Sequence, residues 1–199
     1  SSSLYVSPST DSTVTIAGTN FVSVPIVEAI NSSTGAITRA IAVAFTSSSS
    51  INATFNLPSA SYFIRVENND GNAVRSSSAI LSASTAPSFS TGAGSIGTVS
   101  AGSTVALSVS ASSDSNVTIA ETTSILTSNA NTPATTMNLT LSGTPATSAT
   151  YNITGTAPSP TTDKTYNFTL SATDAESQST TRDFSITVSV GINNSGQFN

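Results

Sequence analysis

Apolar residues recur at every second position in short runs along this chain, and that period of two is the strongest constraint on its fold. The pattern is clear over residues 105–109, 166–172 and 184–190. Such alternation is typical of strands that bury one face and hydrate the other. The runs follow one another at a spacing of about ten residues, with no helical period between them. The sequence therefore predicts an all-β sandwich architecture.

Length and a break in the pattern predict two such sandwiches. The 199 residues suffice for two domains, since sandwiches of this kind take about 100 residues each. Ala86-Pro87 is linker-like and is followed by a glycine-containing stretch through Gly97. We therefore predict two tandem immunoglobulin-like β-sandwich domains, over residues 1–85 and 86–191. An N-terminal extension belongs to the first, and residues 192–199 form a tail.

Hydroxyl-bearing residues are frequent, and their placement favours ordered strands over disorder. The chain contains 74 Ser or Thr residues, while only 8% of its residues are charged. Disordered chains combine low hydrophobicity with high net charge, unlike this one. Ser, Thr and Asn occupy the positions between apolar residues, where they hydrate without charge. We expect hydroxyl-rich outer faces, with Ile41, Val43 and Phe45 sharing the apolar face of one strand.

Charge and residue types argue against several classes of function. Five basic residues stand against ten acidic ones without a basic cluster, so nucleic acid and anionic membranes are not expected partners. No apolar run approaches the roughly 20 residues that span a bilayer, so no membrane insertion is expected. The chain has neither His nor Cys. Because the usual general base and the thiol nucleophile are missing and pairs of acidic residues are few, we expect no enzymatic activity and no required cofactor.

The first residues of the sequence are informative about where in or outside the cell the protein is found. The chain begins Ser1-Ser2-Ser3 rather than with Met. Removal of an export signal would explain this start, and so would excision from a longer chain. Together with the hydroxyl-rich surface, it favours a protein of the extracellular space, a cell surface or a virion surface.

A proline, a strand-like run and a Gly-x-x-Phe motif occur in that order in the first half. Ser7-Pro8 leads into residues 12–17, and Gly18-Thr-Asn-Phe21 follows. Residues 51–55 and 62–71 supply closing strands and an Asn-x-x-Gly turn. In these features the first half resembles the IPT/TIG branch of immunoglobulin-like domains, with Thr10-Asp11 where that family usually has Gly-Gly.

Three motifs mark the second half: Leu141-Ser-Gly-Thr-Pro145, a run over residues 166–175, and a run over residues 181–188. In these it resembles the cadherin-like, immunoglobulin-fold domains of bacterial, archaeal and phage surface proteins. Both families serve as spacers, stalks and adhesive modules. The two resemblances therefore imply a structural role, by analogy of fold.

Acidic residues near the end of the chain are candidate metal ligands. Asp174 and Glu176 lie two apart, where cadherin-like domains place an Asp-x-Asp or Asp-x-Glu dyad at a strand end. Carboxylate oxygens are the ligands that Ca²⁺ prefers. The resemblance implies a calcium site at this dyad, with Asp114 or Asp183 as additional ligands. The alternatives are a polar hairpin turn without metal and, least favoured, an acid–base pair.

Seven Asn-x-Ser/Thr sequons are candidate sites for covalent glycans. Their number is close to chance, because the chain's Asn count and its Ser and Thr content together give roughly six. Lys164 is a candidate for an isopeptide crosslink, although a solvated turn after Asp163 is the favoured interpretation. The sequons lie at Asn31, Asn52, Asn116, Asn138, Asn152, Asn167 and Asn193.

Two functional hypotheses follow. The first is self-assembly into an extracellular filament or a virion surface, with another copy of the chain as partner. Residues 1–7 and 192–199 are expected to belong to neither core, and Leu4, Tyr5 and Val6 are the candidate donor strand for a neighbour's sheet. The alternative is an adhesive module that binds host or neighbouring cell-surface glycans. Tyr5 and Phe198 are then the aromatic residues outside the inward strand positions.

Overall fold

The computed structural model describes residues 3–128 and 135–191, and within them every regular element is a β-strand. The chain divides into two compact units, Ser1–Thr85 and Ala86–Asn199. Each unit is an immunoglobulin-like β-sandwich, so the predicted fold class is confirmed. Among the described residues, no helix is long and apolar enough to cross a membrane.

In unit 1 the structure describes nine short strands in two sheets. They are β1 (Leu4–Val6), β2 (Ser12–Ala17), β3 (Ile26–Asn31), β4 (Ile37–Arg39), β5 (Ala42–Ser47), β6 (Ser50–Phe55), β7 (Ala60–Glu67), β8 (Ala73–Arg75) and β9 (Leu81–Ala83). One sheet has the order β1-β9-β7-β3-β4, with β8 also beside β7, and the other has the order β2-β6-β5. β1 and β9 run parallel, and the other neighbours are antiparallel.

The core of unit 1 forms from alternate residues of its strands, as the period of two predicts. On β6, Ile51, Ala53 and Phe55 are fully buried. Burying a large apolar side chain contributes about 1.5–3 kcal/mol relative to leaving it exposed. The residues between them face outward, where Thr54 Oγ1 lies 2.8 Å from the hydroxyl of Thr13. This outer face is hydroxyl-rich, as expected.

The Gly-x-x-Phe motif of unit 1 has a steric explanation. The ring of Phe21 folds back over Gly18, and a Cβ atom on Gly18 would come within 2.4 Å of ring atom Cζ. Phe21 is buried and belongs to the core of unit 1. Because interiors are close-packed, only glycine at position 18 leaves room for the ring in this position.

The described residues of unit 2 form seven strands that belong to one continuous network. They are β10 (Ser88–Phe89), β11 (Gly94–Ser100), β12 (Thr104–Glu121), β13 (Thr140–Gly143), β14 (Ala146–Thr156), β15 (Lys164–Thr173) and β16 (Ser179–Ser189). Their order is β11-β16-β15-β12-β14-β13, with β10 also beside β12. The buried residues include Phe89, Phe168 and Phe184, whose rings contact one another with centroids 5.4 and 6.2 Å apart.

β12 is longer than the sequence pattern suggests. The alternating runs over residues 105–109 and 117–119 predict two strands, whereas the structure has a single 18-residue strand. It pairs with β14 up to Val117 and with β15 from Thr118 onward, with a register shift between Ser112 and Val117. One strand therefore serves two partners in succession, and the polar residues between the runs are extended rather than a loop.

The turn after β12 is organised by the carboxylate of Glu121. Its Oε1 accepts the backbone N–H groups of Ile125 at 2.6 Å and Leu126 at 2.8 Å. Its Oε2 accepts both the N–H group and the hydroxyl of Thr127, at 2.9 and 2.8 Å. Burial by itself raises the pKa of Glu121, but these hydrogen bonds outweigh it and hold the pKa below its ordinary value. The charged carboxylate thus stabilises the turn that delivers Leu126 to the core.

Candidate functional site

Three acidic side chains converge at one end of unit 2. Asp174 directly follows β15, Glu176 lies in the turn between β15 and β16, and Asp114 lies within β12. The pairing of Thr118 with Thr173 brings β12 alongside the end of β15. As a result, one carboxylate oxygen from each of the three residues lies within 4.8 Å of the others. We call Asp114, Asp174 and Glu176 the acidic cluster.

The members of the acidic cluster differ in environment. Asp174 is only 6% exposed, and its Oδ1 accepts the backbone N–H of Gln178 at 2.8 Å. Burial, followed by repulsion from Glu176 and Asp114, raises the pKa of Asp174 although the Gln178 hydrogen bond opposes the shift. Glu176 accepts the hydroxyl of Ser115, and Asp114 is exposed. A cation would relieve the repulsion among the three carboxylates.

Asp183 does not belong to the acidic cluster. It lies on β16 opposite Thr169, whose hydroxyl it accepts at 2.6 Å. Of the two additional ligands predicted, Asp114 is therefore in place and Asp183 is not. Three carboxylates fit the chemistry of a calcium site, although Ca²⁺ takes six to eight oxygen ligands and would need carbonyl or water oxygens as well.

The predicted donor strand is part of its own domain. Leu4, Tyr5 and Val6 form β1, which pairs with β9 in register with residues 81–83. The N–H of Leu4 donates to the Ile80 carbonyl at 2.7 Å, and Val6 is buried in the core of unit 1. The expectation that residues 1–7 belong to neither core is thus wrong for β1, whose Leu4 and Val6 pack in unit 1. Donation to a neighbour would require β1 to leave its own sheet, and it stays a prediction.

Four of the predicted sequons present exposed Asn side chains: Asn116, Asn138, Asn152 and Asn167. Asn31 and Asn52 are half-buried. The Oδ1 of Asn31 accepts the N–H groups of residues 33 and 34, and that of Asn52 accepts the Thr15 hydroxyl. Asn193, like Phe198 and the whole tail over residues 192–199, lies outside the described residues. Glycan attachment stays a prediction, which intact-mass measurement would test.

The large apolar side chains that are exposed among the described residues all lie in unit 1. Ile37 belongs to β4, Ile41 follows it, and Phe45 belongs to β5. β4 and β5 are the end strands of the two sheets, and the chain passes from one sheet to the other between them. The exposed side chains are Val22, Val24, Ile37, Ile41, Phe45 and Val74.

The expectation that Ile41, Val43 and Phe45 form an inward face is therefore only partly met, since Ile41 is 60% exposed and Phe45 is 41% exposed.

The outer face of the larger sheet of unit 1 departs from the hydroxyl-rich pattern. Across β4, β3, β7 and β8, the pairing places Arg39, Glu28, Arg65 and Arg75 in one row. The next row holds only apolar residues, because Ile30 lies opposite both Ile37 and Phe63. We call these two rows the arginine face. All three basic residues of unit 1 lie on it.

Charge pairing on the arginine face is concentrated on Arg65. Its guanidinium contacts Glu28 at 2.8 Å and also Glu67, and these hydrogen bonds raise its pKa. The guanidinium of Arg75 lies over the ring of Phe63, 4.6 Å from its centroid. Outward placement of Phe63 was not predicted, although its position between the inward Tyr62 and Ile64 is the signal that indicates it.

Comparison with known proteins shows similarity at the level of tandem β-sandwiches. No family model matches the sequence, and no curated protein matches it. The titin domains Z1Z2, solved in complex with telethonin, are 18% identical, covering 95% of this chain and 93% of theirs with a TM-score of 0.37. The titin I-band fragment I67–I69 is 14% identical, covering 94% and 63% with a TM-score of 0.44. Such loose similarity assigns no partner or activity to this chain.

Proposed function

We propose that this chain is a non-catalytic structural module of an extracellular assembly, in which copies contact one another through unit 1. The observation that carries the proposal is the exposure of two large apolar side chains at one sheet end, Ile41 just before β5 and Phe45 within it. Apolar patches of this kind on a folded protein mark contact surfaces. Elsewhere the surface is rich in uncharged hydroxyl groups, which hydrate well and repel one another little.

The chemistry of the chain suits this role. Without His or Cys, it has neither the usual general base nor a thiol nucleophile. Several charged groups form structural contacts, such as those of Glu121 with the turn after β12 and of Arg182 with the Phe89 and Thr91 carbonyls. An extracellular location is part of the proposal and rests on the same surface composition.

Sedimentation velocity on the full chain, from micromolar to millimolar concentration, tests this function. We expect association to grow with concentration and to weaken when Ile41 and Phe45 are both replaced by Ser. Val74→Ser is the matched control, because Val74 is 69% exposed but lies on β8, which β7 and β3 separate from β4. A wild-type chain that stays monomeric throughout would overturn the proposal. Equal weakening by the control would place the contact elsewhere.

Adhesion to carboxylate-bearing glycans is a second candidate function, and the arginine face favours it. Sugars present C–H groups that pack on aromatic rings, and arginine binds carboxylates through paired hydrogen bonds. Phe63 and the guanidinium of Arg75 that lies over its ring offer both kinds of contact on one sheet face, on which Arg39 and Ile37 lie two strands away on β4. Neutral glycans lack the group that arginine recognises, so acidic glycans are the expected ligands.

A glycan array with neutral and carboxylated members tests the adhesive function. We expect binding to carboxylated members only, and we expect Arg75→Gln to abolish it. Lys164→Gln serves as the control, since Lys164 is an exposed basic residue at the start of β15 in unit 2. Binding of neutral and acidic glycans alike, or binding that survives Arg75→Gln, would contradict this role.

We also propose that the acidic cluster holds a calcium ion that stabilises unit 2. Its support is the convergence of three carboxylates within 4.8 Å, with Asp174 held in a buried position by Gln178. Calcium here would join β12 to the turn between β15 and β16. Such an ion serves rigidity rather than catalysis, which agrees with a structural module.

A further inference from the structure

We propose that two copies of this chain associate through β5, which pairs antiparallel with β5 of the second copy across a two-fold axis. The inference rests on the proposed assembly function and specifies its contact. β5 ends the sheet β2-β6-β5, and among the described residues only its β6 side is paired. Its other side presents the N–H and C=O groups of alternate residues, which is what an incoming strand binds.

Side-chain burial shows that the core is open at this strand and closed at the opposite end of the same sheet. Phe45 lies directly opposite Ile51, which is fully buried, yet Phe45 is 41% exposed. The corresponding core-facing residues of β2, Val14 and Ile16, are only 7% and 4% exposed. β4, the end strand of the facing sheet, has three residues and covers little of β5. A further strand beside β5 would therefore complete the core.

The sequence of β5 carries none of the residues that protect edge strands from pairing, and its one irregularity lies near its C-terminal end. Natural edge strands are usually protected by Lys, Pro, inward charges or bulges. β5 reads Ala-Val-Ala-Phe-Thr-Ser, with no charged residue, no Pro and no Gly. Its register shift falls between Phe45 and Ser47, so residues 42–45 keep a regular ladder with β6. The paired part of the strand is thus suited to accept a neighbour.

A second copy of the chain fits this edge better than an unrelated charged strand. A two-fold axis sets a strand antiparallel to itself, so the same uncharged residues face one another and no like charges meet. The product is a continuous sheet in the order β2-β6-β5-β5-β6-β2. In that sheet Phe45 of each copy gains a neighbour on the core side, and Ile41, 60% exposed in the single chain, lies at the contact.

Opposite charges introduced at Ala44 test the pairing. Ala44 is exposed on the outer face of β5, so Ala44→Lys leaves the core untouched. Two lysines brought close by the two-fold pair should raise the dimer Kd about tenfold at low salt. A mixture of Ala44→Lys and Ala44→Glu chains should associate at least as tightly as the wild type. Ala17→Lys, at the other end of the same sheet, is the matched control and should associate like the wild type.

Hydrogen exchange of residues 42–47 provides a readout that does not depend on a substitution. Their exchange should slow as the wild-type concentration rises through the association range. If the chain associates but Ala44→Lys behaves like Ala17→Lys and this exchange does not change, the β5 contact is wrong while the assembly function stands. If the wild type is monomeric up to millimolar concentration, both the contact and the assembly function are wrong.

Discussion

Replacing Glu121 by Gln tests whether one carboxylate holds the turn after β12. The carboxylate accepts three backbone N–H groups and the hydroxyls of Thr123 and Thr127. Glutamine keeps one oxygen, which can still accept the N–H groups of Ile125 and Leu126. It places an NH₂ group where Thr127 needs an acceptor, so the two donors of Thr127 lose their partner.

The magnitude follows from those two lost hydrogen bonds. A hydrogen bond to a charged group contributes about 1.5–3 kcal/mol when it is shielded from water. Glu121 is half-buried, so water replaces part of each interaction and solvent screening reduces the sum. We therefore expect the free energy of unfolding of unit 2 to fall by about 2 kcal/mol in Glu121→Gln.

Urea unfolding followed by hydrogen-exchange mass spectrometry is the appropriate assay, because peptides report on each unit separately. Glu67→Gln is the matched control, since Glu67 lies in unit 1 and its partner Arg65 is also held by Glu28. The control should leave the unit 2 midpoint unchanged. A Glu121→Gln loss below about 0.5 kcal/mol would refute the account of the turn, because ordinary surface substitutions reach that size.

The same carboxylate gives unit 2 a defined pH dependence. The pKa of Glu121 is lower in the folded chain than in the unfolded one, so the folded state binds its proton less readily. Its stabilisation is therefore fully present above the unfolded value of about 4.3 and is lost as pH falls through the depressed folded value. The difference in unfolding free energy between the wild type and Glu121→Gln should shrink over this range. A difference that is constant with pH would contradict this assignment.

Three further predictions concern packing, anchoring and metal binding. Gly18→Ala should lower the free energy of unfolding of unit 1 by about 1–3 kcal/mol, because the added methyl group meets the Phe21 ring. Chemical unfolding measures this loss, and an unchanged unfolding midpoint would contradict it. Arg182→Lys should speed hydrogen exchange of residues 89–91, since Nη1 of Arg182 donates to the Phe89 and Thr91 carbonyls at 2.9 and 2.7 Å. Equal exchange rates in the variant and the wild type would show that these two hydrogen bonds do not hold the segment. Millimolar calcium should raise the unfolding temperature of unit 2 in the wild type but not in Asp114→Asn, and identical melting in EDTA and calcium would end the calcium proposal.

The period of two was sufficient to predict the architecture, and its limits are physical. Alternation identifies which side chains share a face, so the core positions of β6, β15 and β16 follow from it directly. It does not identify a strand's partners. β12 pairs first with β14 and then with β15, and that exchange of partners depends on long-range register rather than on the local pattern.

The difference between local pattern and long-range pairing also explains which acidic residues lie together. Asp174 and Glu176 are close in sequence, so their proximity was predictable. Asp114 joins them only because Thr118 pairs with Thr173, a contact between residues far apart in the chain. Asp183 is nearer in sequence to Asp174 than Asp114 is, yet it lies further along the β15–β16 ladder, opposite Thr169. Sequence distance was therefore a poor guide to the third member of the acidic cluster.

Exposure was the property least accessible from the pattern. Phe45 alternates correctly for a core residue, but β5 is an end strand, and a core-facing side chain at an end strand is covered only if something lies beside it. Whether a strand is at the end depends on the whole sheet. The arginine face could not be predicted because the alternation constrains only the inward positions of a strand. The outward positions accept many residue types, so the pattern does not indicate which of them carry Arg or Phe.

The two surfaces of unit 1 are compatible with one another. β5 belongs to the sheet β2-β6-β5, whereas the arginine face is the outer side of the other sheet, on β4, β3, β7 and β8. Pairing through β5 uses backbone groups at a sheet edge and would leave Phe63 and Arg75 accessible. A β5-paired assembly would then present the arginine face twice, and two weak glycan contacts joined in this way bind far more tightly than one. Adhesion should therefore weaken when Ala44→Lys disrupts pairing, even though Ala44 lies on the other sheet.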